Sequence, residues 1–366
     1  MFRTLTGTMP RYISRQFLFW IIFVFFALSF LFALFDFVEL MRRASGKADA
    51  SFSIILQMSL TKLPHLLQDI FPFVMLFGSI VAFWRLSKTS ELVIARAAGF
   101  SAWQILRLPI VLAFGIGVLQ ITSFGPFAAQ MYNQFEQLEN EYLKRGGERL
   151  SLSGTGLWLR QGNKNHQEVI HAQIALEGGK RLQHVTVYQF EGDNNYVGRI
   201  DAQVAILFDG HWTLRNATIF KPNTPLQLKS IYRIPTTLTS KKIEDSYNSE
   251  DTLSFWVLPD FIKTLEDSGF DASNHKMRLH SLLSTPFLLV AMVLIAATFA
   301  MRTSNRRGAA FTILSGIGCG FVLYFFTNVV QALGLSTTIP VWIAAWIPAI
   351  VSLMLGITAL LHTEDG

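Results

Sequence analysis

The 366-residue chain contains a single cysteine, Cys319, and few charged side chains, since lysine, arginine, aspartate and glutamate together make up only 15% of it. Soluble domains usually carry about 25% charged residues. One cysteine excludes an internal disulfide. The same chain is 51% hydrophobic, contains 32 phenylalanines and has a mean hydropathy of +0.36. These values exclude an ordinary soluble protein and indicate an integral membrane protein.

Sequence signatures of catalysis are also missing. The glycine-containing segment Glu177–Arg181 lacks the upstream glycine and the following serine or threonine of a phosphate-binding loop. No H-E-x-x-H motif is present, and Ser151–Gly156 is not a nucleophile elbow. The chain is therefore expected to be non-catalytic and to hold no metal. The histidines in the polar middle of the chain are expected to be ordinary surface or core residues: His166, His171, His184 and His211.

Six apolar stretches approach the roughly 20 residues that a helix needs to cross a membrane. They are Phe17–Phe35, Ile70–Leu86, Ile105–Phe124, Leu282–Met301, Ala310–Leu333 and Ile339–Leu361. A long polar segment separates the third from the fourth. The first stretch is expected to be an uncleaved anchor, because it ends in LFDFVELMRR without a small-residue cleavage site.

Basic residues in the short loops predict the orientation of these spans. Ten lysines and arginines lie on the side that holds both termini, in the N-terminal tail and in the second and fourth connectors. Three lie on the opposite side, all in the first connector: Arg42, Arg43 and Lys47. Because cytoplasmic loops carry the excess of basic residues, both termini are expected on the cytoplasmic side of the membrane. The polar insert is then expected outside the cytoplasm.

The insert has the sequence pattern of a β domain. The segment HVTVYQF, His184–Phe190, alternates apolar and polar residues, and Asp209-Gly210 joins two strand-like runs with a typical hairpin turn. Short strands between frequent turns favour a sandwich, a jelly roll or a barrel. The predicted division is a first transmembrane half at 1–133, a β domain at 134–256 and a second transmembrane half at 257–366.

The segment Ser90–Ser101, SELVIARAAGFS, forms the connector between the second and third spans. As a helix it places the small residues Ala95 and Gly99 on one face, whereas Glu91 and Arg96 point elsewhere. Two interpretations remain open from these residues alone. The segment is either an interfacial helix that lies on the membrane, or a coupling helix that receives motion from a cytoplasmic motor protein.

SELVIARAAGFS resembles the R/N-S-E-L-V-V-x-x-A-x-G signature of the LptF/LptG permease family, the membrane subunits of a lipopolysaccharide-exporting ABC transporter. The similarity covers the whole chain. It includes RYISRQFL before the first span, FVELMRR at its exit, and HKMRLHSLLSTPFLLV in the fourth span. GCGFVLYFFTNVVQALG and IPVWIAAWIPAIVSLMLG in the last third resemble the G-type branch most. The resemblance implies six transmembrane helices, three plus three, with a jellyroll-like periplasmic domain between helices 3 and 4.

The family resemblance implies several partners for the chain. These are an F-type permease, a cytoplasmic ATPase homodimer (LptB-like), a single-span LptC-like protein and a periplasmic LptA-like bridge. The substrate is lipopolysaccharide, and nucleic acid has no role. No cofactor is expected in this chain, because ATP and magnesium are used by the ATPase. The residues expected to contact that ATPase lie in the coupling helix, at about 90–101: Glu91, Leu92, Arg96, Ala98 and Gly99.

The same resemblance implies a lipid site at the outer end of the first span. Arg42 and Arg43 are expected to contact the phosphates of lipopolysaccharide, because arginine binds phosphate with two hydrogen bonds. The alternative is a simple interfacial anchor. Many G-type permeases carry a lysine three residues before the acidic position matched by Glu39, but this chain has Asp36 there. A carboxylate repels phosphate, so Asp36 is instead expected to pair with Arg42 or Lys47.

Apolar residues of the first and fifth spans are expected to line a cavity or lateral gate for acyl chains: Phe26, Phe30, Leu323 and Phe326. Three glycines of the fifth span allow close helix packing or a flexible gate: Gly316, Gly318 and Gly320.

Three classes of function are compatible with this membrane topology. The first is an exporter permease, with the F-type paralogue as the nearest variant. The second is a mechanotransmission protein that acts on periplasmic partners, and the third is an intramembrane enzyme, which the absent catalytic pairs disfavour.

Overall fold

A computed structural model describes residues 8–45, 47, 51–143, 157–163, 166–176, 179–191, 195–208, 210–221, 225–236, 250–267, 271–302, 309–336 and 338–365. The chain forms two compact units. The first contains Met1–Leu143, Glu250–Pro259 and Ser273–Gly366, and the second contains Lys144–Ser249 and Asp260–Ala272. The domain limit predicted at residue 133 falls inside a helix of the first unit, because that helix continues past the apolar stretch.

The first unit is helical. The helices of the described residues are α1 Thr8–Ala44, α2 Phe52–Lys88, α3 Glu91–Ala97, α4 Ala102–Leu119, α5 Gly125–Leu138, α6 Leu258–Asp267, α7 Ser273–Arg302, α8 Ala309–Leu335 and α9 Val341–Asp365. Two π-helical turns, Gln120–Phe124 and Glu139–Leu143, follow α4 and α5, and a 3-10 turn covers Glu250–Thr252.

The described residues include six helical segments long and apolar enough to cross a membrane, which confirms the predicted number. They are Arg11–Ala44, Phe52–Lys88, Ala102–Leu143, Ser273–Ala300, Leu314–Leu335 and Val341–His362. Helix α2 begins at Phe52, well before the predicted start at Ile70. Its first half carries polar residues that lower the local hydropathy, and neighbouring helices supply partners for their side chains. The sequence-based limits therefore missed this half.

Helices α2 and α7 form the centre of the helical unit. Val74, Met75 and Phe83 of α2 are fully buried, as are Leu289 and Val293 of α7, and all five belong to one apolar core. In the apolar spans of α2 and α7, 61% of the residues are buried within the chain. The corresponding share is 17% in α1 and 22% in α8. Helices α1 and α8 are thus peripheral and expose large apolar side chains.

The glycines of α8 differ in what they face. A β-carbon at Gly316 would overlap the Ile80 side chain of α2, and one at Gly320 would lie 3.2 Å from Leu76 of the same helix. No atom would lie within 4 Å of a β-carbon at Gly318. Close packing against α2 therefore explains Gly316 and Gly320, whereas Gly318 faces open space.

The second unit contains a six-stranded antiparallel sheet, which confirms the predicted β domain. Its strands are β1 Leu157–Asn163, β2 His166–Leu176, β3 Arg181–Glu191, β4 Asn195–Phe208, β5 His211–Phe220 and β6 Gln227–Pro235. They pair in chain order, so the described strands form a meander and show no jelly-roll crossover.

The predicted hairpin joins β4 to β5. Phe208 pairs with His211 across the two-residue connection, in which Gly210 has a φ of +83°. Asp209 lies outside the described residues. The buried face of the sheet packs around Trp212, which is fully buried together with Leu182 and Leu214.

Two glycines of α4 give a matched pair of predictions. A β-carbon at Gly117 would lie 2.6 Å from the α-carbon of Pro286 in α7, whereas one at Gly115 would meet nothing within 4 Å. We expect Gly117→Ala to destabilise the protein by about 1–3 kcal/mol through overpacking. Gly115→Ala should stabilise it by up to about 1 kcal/mol, because alanine is the better helix former. Thermal unfolding in detergent tests both, and equal melting temperatures would contradict this packing of α4 on α7.

Candidate functional site: the α3 connector and the charged helix contacts

The α3 connector, residues 90–101, is held between two sharp turns. Ser90 has a left-handed φ of 62° before α3, and Gly99 has a φ of +85° after it. The N–H of Phe100 donates to the carbonyl of Ala95, which closes the end of α3. A β-carbon at Gly99 would meet no atom within 4 Å, so the backbone conformation and not crowding requires glycine there. A capping box at Ser101 then starts α4. This geometry gives the connector a defined shape.

The connector has one buried and one exposed face. Leu92 and Ala95 are buried in the main apolar core, at 7% and 1% exposure. Val93 and Ile94 are exposed at 58% and 61%. Of the predicted coupling residues, Leu92 therefore packs inside its own chain, whereas Arg96, Ala98 and Gly99 are exposed. Sequence reasoning missed Val93 and Ile94, although their positions beside Leu92 on a helix put them on the opposite face.

Glu91 links α3 to α1. The Tyr12 hydroxyl donates to Glu91 Oε1 at 3.3 Å, and the Thr89 hydroxyl donates to the same oxygen at 2.8 Å. The other oxygen, Oε2, is buried and has no hydrogen-bond partner among the described residues. Glu91 thus fixes the start of α3 against the first helix, a contact that its position in the sequence did not indicate.

The two arginines at the end of α1 form a charge-balanced cluster. Both Arg42 Nε and Nη2 donate to Glu39 at 2.8 Å. Arg43 donates to Glu39 at 3.2 Å and, through Nη1, to Glu139 at 3.0 Å. Arg43 therefore also ties α1 to the π-helical turn after α5. The Arg42 side chain remains 75% exposed, so an incoming anion can reach it.

The expected pairing of Asp36 with Arg42 or Lys47 is wrong. Asp36 of α1 accepts a hydrogen bond from Lys62 of α2, and the two side chains are only 8% and 17% exposed. The Lys62 ammonium also lies 5.3 Å from the centre of the Phe135 ring. Lys62 was missed because it lies in the half of α2 that precedes the predicted span. Arg42 instead binds Glu39, three residues away on the same helix.

A second charged cluster connects α2, α7 and the turn at 250–252. Arg278 Nη2 donates to Gln68 Oε1 at 2.9 Å, and Arg278 Nε lies 3.4 Å from Asp251 Oδ1. His65 Nε2 lies 3.6 Å from Asp251 Oδ2. These residues are far apart in sequence, so only the packing of the helices identifies the cluster. No group of three or more His, Cys, Asp or Glu side chains in the described part of the chain could hold a metal ion.

The predicted acyl-chain residues do not form one site within this chain. Phe26 and Phe30 of α1 are exposed at 66% and 73%, whereas Leu323 is buried and lines a cavity of ≈330 Å³ among α2, α7, α8 and α9. Phe326 packs against the small apolar cluster around Met277. The two exposed phenylalanines are available to lipid or to another protein.

The Asp36–Lys62 pair yields a stability prediction. Because both groups are largely buried, Lys62→Met should leave Asp36 uncompensated and destabilise the protein by about 3 kcal/mol or more. Asp36→Leu combined with Lys62→Met should recover most of that loss, since it removes both charges. Arg42→Ala, at an exposed pair, should lower the melting temperature far less than Lys62→Met. Melting temperatures in detergent test this order, and a double variant as unstable as Lys62→Met would refute it.

Comparison with known proteins places the chain among membrane permeases. The family model of the lipopolysaccharide export system permease LptF/LptG matches residues 11–362. The lipopolysaccharide export system permease protein LptG of Escherichia coli K12 is 25% identical over 351 residues, 94% of this chain and 95% of the relative. The LptG protein of Haemophilus influenzae is 25% identical over 356 residues, 95% of this chain and 97% of the relative. The chain belongs to the LptF/LptG family of lipopolysaccharide export system permeases.

Proposed function

We propose that the chain is the G-type permease of an ABC transporter that extracts lipopolysaccharide from the inner membrane and passes it to a periplasmic bridge. The family match along nearly the whole chain carries this proposal, and the relatives described above bear the G-type name. The chain itself performs no chemistry. A separate cytoplasmic ATPase binds ATP and magnesium and supplies the energy, so this permease needs no cofactor.

The loop charges support an orientation in which both termini and α3 face the cytoplasm, and the sheet of the second unit faces the periplasm. Arg85 and Lys88 end α2, and Arg96 lies in α3, so basic residues surround the connector. Because positive residues are retained on the cytoplasmic side, this end of the helices is the one that meets a cytoplasmic ATPase.

In this proposal α3 transmits the motion of the ATPase to the membrane helices. Its exposed face, with Val93, Ile94 and Ala98, would enter an apolar groove on the ATPase. Its buried face, with Leu92 and Ala95, is packed in the main core. Force applied to the exposed face is therefore passed to α2 and α4 instead of being absorbed by a loose loop.

The peripheral positions of α1 and α8 support a second permease as partner. Three of their phenylalanines, Phe26, Phe30 and Phe325, are at least 66% exposed in the single chain. An F-type permease would cover part of this surface, and lipid acyl chains would contact the remainder. The proposed partners also include a single-span LptC-like protein and an LptA-like bridge.

The arginine cluster supports a contact with lipid phosphates. A phosphate offers more oxygen acceptors and more charge than a carboxylate, so it can displace Glu39 from Arg42 while Arg43 keeps its contact with Glu139. Before the lipid binds, Glu39 balances the charge of Arg42. When the phosphate leaves, Glu39 can pair with Arg42 again, so the binding is reversible, as a transporter requires.

The first test is affinity purification of the wild-type chain from native membranes, with identification of its partners and an ATPase assay with and without lipopolysaccharide. We expect a second permease and a cytoplasmic ATPase whose turnover responds to the lipid. Recovery with periplasmic hydrolases and no lipid response would favour a mechanotransmission protein instead.

The same assay tests the role of α3. Val93→Ser with Ile94→Ser should weaken binding of the ATPase by about tenfold or more, since two exposed apolar contacts are lost on binding. The melting temperature of the permease should change little, because both side chains are exposed. Leu92→Ala is the matched control, and it should lower the melting temperature because it removes a buried side chain. Unchanged ATPase recovery from the double variant would refute the proposed docking face.

Charge reversal tests the arginine cluster. Arg42→Glu with Arg43→Glu should abolish most of the stimulation of ATPase turnover by lipopolysaccharide, because the phosphates would meet four carboxylates. Arg42→Lys with Arg43→Lys keeps the charge but loses the two-pronged hydrogen bonds, and we expect intermediate stimulation. Basal ATPase turnover should be retained in both variants. If lipopolysaccharide still stimulated ATPase turnover fully in the charge-reversed variant, the two arginines would be interfacial anchors and not a phosphate site.

A further inference from the structure

One wall of the cavity of ≈330 Å³ among α2, α7, α8 and α9 carries polar side chains. The hydroxyls of Thr285 and Thr327 donate to carbonyls of their own helices, and so does the amide of Asn328. The amide of Gln331 donates to the Ser281 hydroxyl. Several donors of this wall are thus engaged within the protein, and oxygen acceptors lie beside them.

Two acceptors on this wall differ in burial. Gln120 is 5% exposed, its Nε2 donates to the Gln68 carbonyl at 3.2 Å, and its Oε1 receives no hydrogen bond from the described residues. Buried acceptors are normally satisfied in proteins, so Gln120 Oε1 marks a place for a ligand that donates a hydrogen bond. The Asp69 carboxylate lines the same cavity and is exposed, so a ligand can reach it. No described lysine, arginine or histidine forms an ion pair with Asp69.

The charge balance of the cavity selects a cation. Arg278 is the one basic residue on the described wall, and it acts on two carboxylates: Asp251 at 3.4 Å and, at longer range, Asp69. The two carboxylates outnumber the one guanidinium, so the wall favours a positively charged ligand. A primary ammonium group is compact, positive and carries three N–H donors. It can donate to Asp69 and to Gln120 at once, which a quaternary ammonium cannot.

The position of Asp69 along α2 indicates where this ammonium comes from. Asp69 directly precedes the apolar run Ile70–Leu86, which extends about 25 Å as a helix. A bilayer has a hydrocarbon core of about 30 Å. Asp69 therefore lies close to one boundary of the membrane, at the level of lipid head groups.

We propose that this cavity binds the primary ammonium group of a membrane-lipid head group of the ethanolamine type, with Asp69 and Gln120 as acceptors. Such a lipid would lie among α2, α7, α8 and α9 of the helical unit, and the residues that contact its head group all belong to this chain.

Native mass spectrometry of the purified full chain tests this site without any substitution. The probes are phosphatidylethanolamine, phosphatidylcholine and phosphatidylglycerol with identical acyl chains, and water-soluble ethanolamine. We expect one phosphatidylethanolamine molecule to be retained with an affinity at least about tenfold above that of the other two lipids. Equal retention of the three lipids would overturn the proposal. Binding of free ethanolamine as strong as that of the lipid would overturn the lipid as its source.

Substitutions then locate the bound lipid. Asp69→Asn keeps the size of the side chain and removes its charge, so the preference for phosphatidylethanolamine should fall by about tenfold. Asp260→Asn, at an exposed carboxylate outside the cavity, should leave it unchanged. The melting temperature without lipid shows that each variant is folded. A preference that survives Asp69→Asn in a folded protein would refute this site.

Discussion

Asp36 of α1 and Lys62 of α2 form a largely buried pair of opposite charges between two long helices. A charge removed from water is costly unless an opposite charge or hydrogen bonds compensate it. The same constraint explains Arg278, which is held by Asp251 and Gln68. These contacts fix which faces of α1, α2 and α7 lie against each other, because the charges tolerate no other register. The apolar core around Val74 and Leu289 then packs within that arrangement.

The α3 connector depends on this rigid frame. Leu92 and Ala95 belong to the main apolar core, and Glu91 holds α3 to Tyr12 of the first helix. The left-handed turn at Gly99 directs the chain back into α4. A helix of this length is too short to be stable in isolation. Its shape is thus a property of the tertiary structure, and the proposed transmission of motion requires such a fixed shape.

The helices divide into a central pair and a periphery, and this division organises the proposed function. Helices α2 and α7 are mostly buried, whereas α1 and α8 present exposed phenylalanines. A permease that opens sideways to lipid needs mobile helices at its edge and a stable centre. Gly316 and Gly320 nevertheless anchor α8 to α2 through close packing. The edge helix is therefore attached at defined points, and its free face is the one that a partner or a lipid can reach.

The sequence by itself determined the membrane class, the six spans, the inserted β domain and the hairpin at Gly210, because hydropathy and turn chemistry are local properties. It also marked Ser90–Ser101 as the connector of interest. The tertiary structure alone decided that Leu92 is buried while Val93 and Ile94 are exposed, and that Asp36 pairs with Lys62. Both outcomes depend on which residues distant in the chain face each other across helices. Hydropathy and residue spacing along one segment carry no information about that pairing.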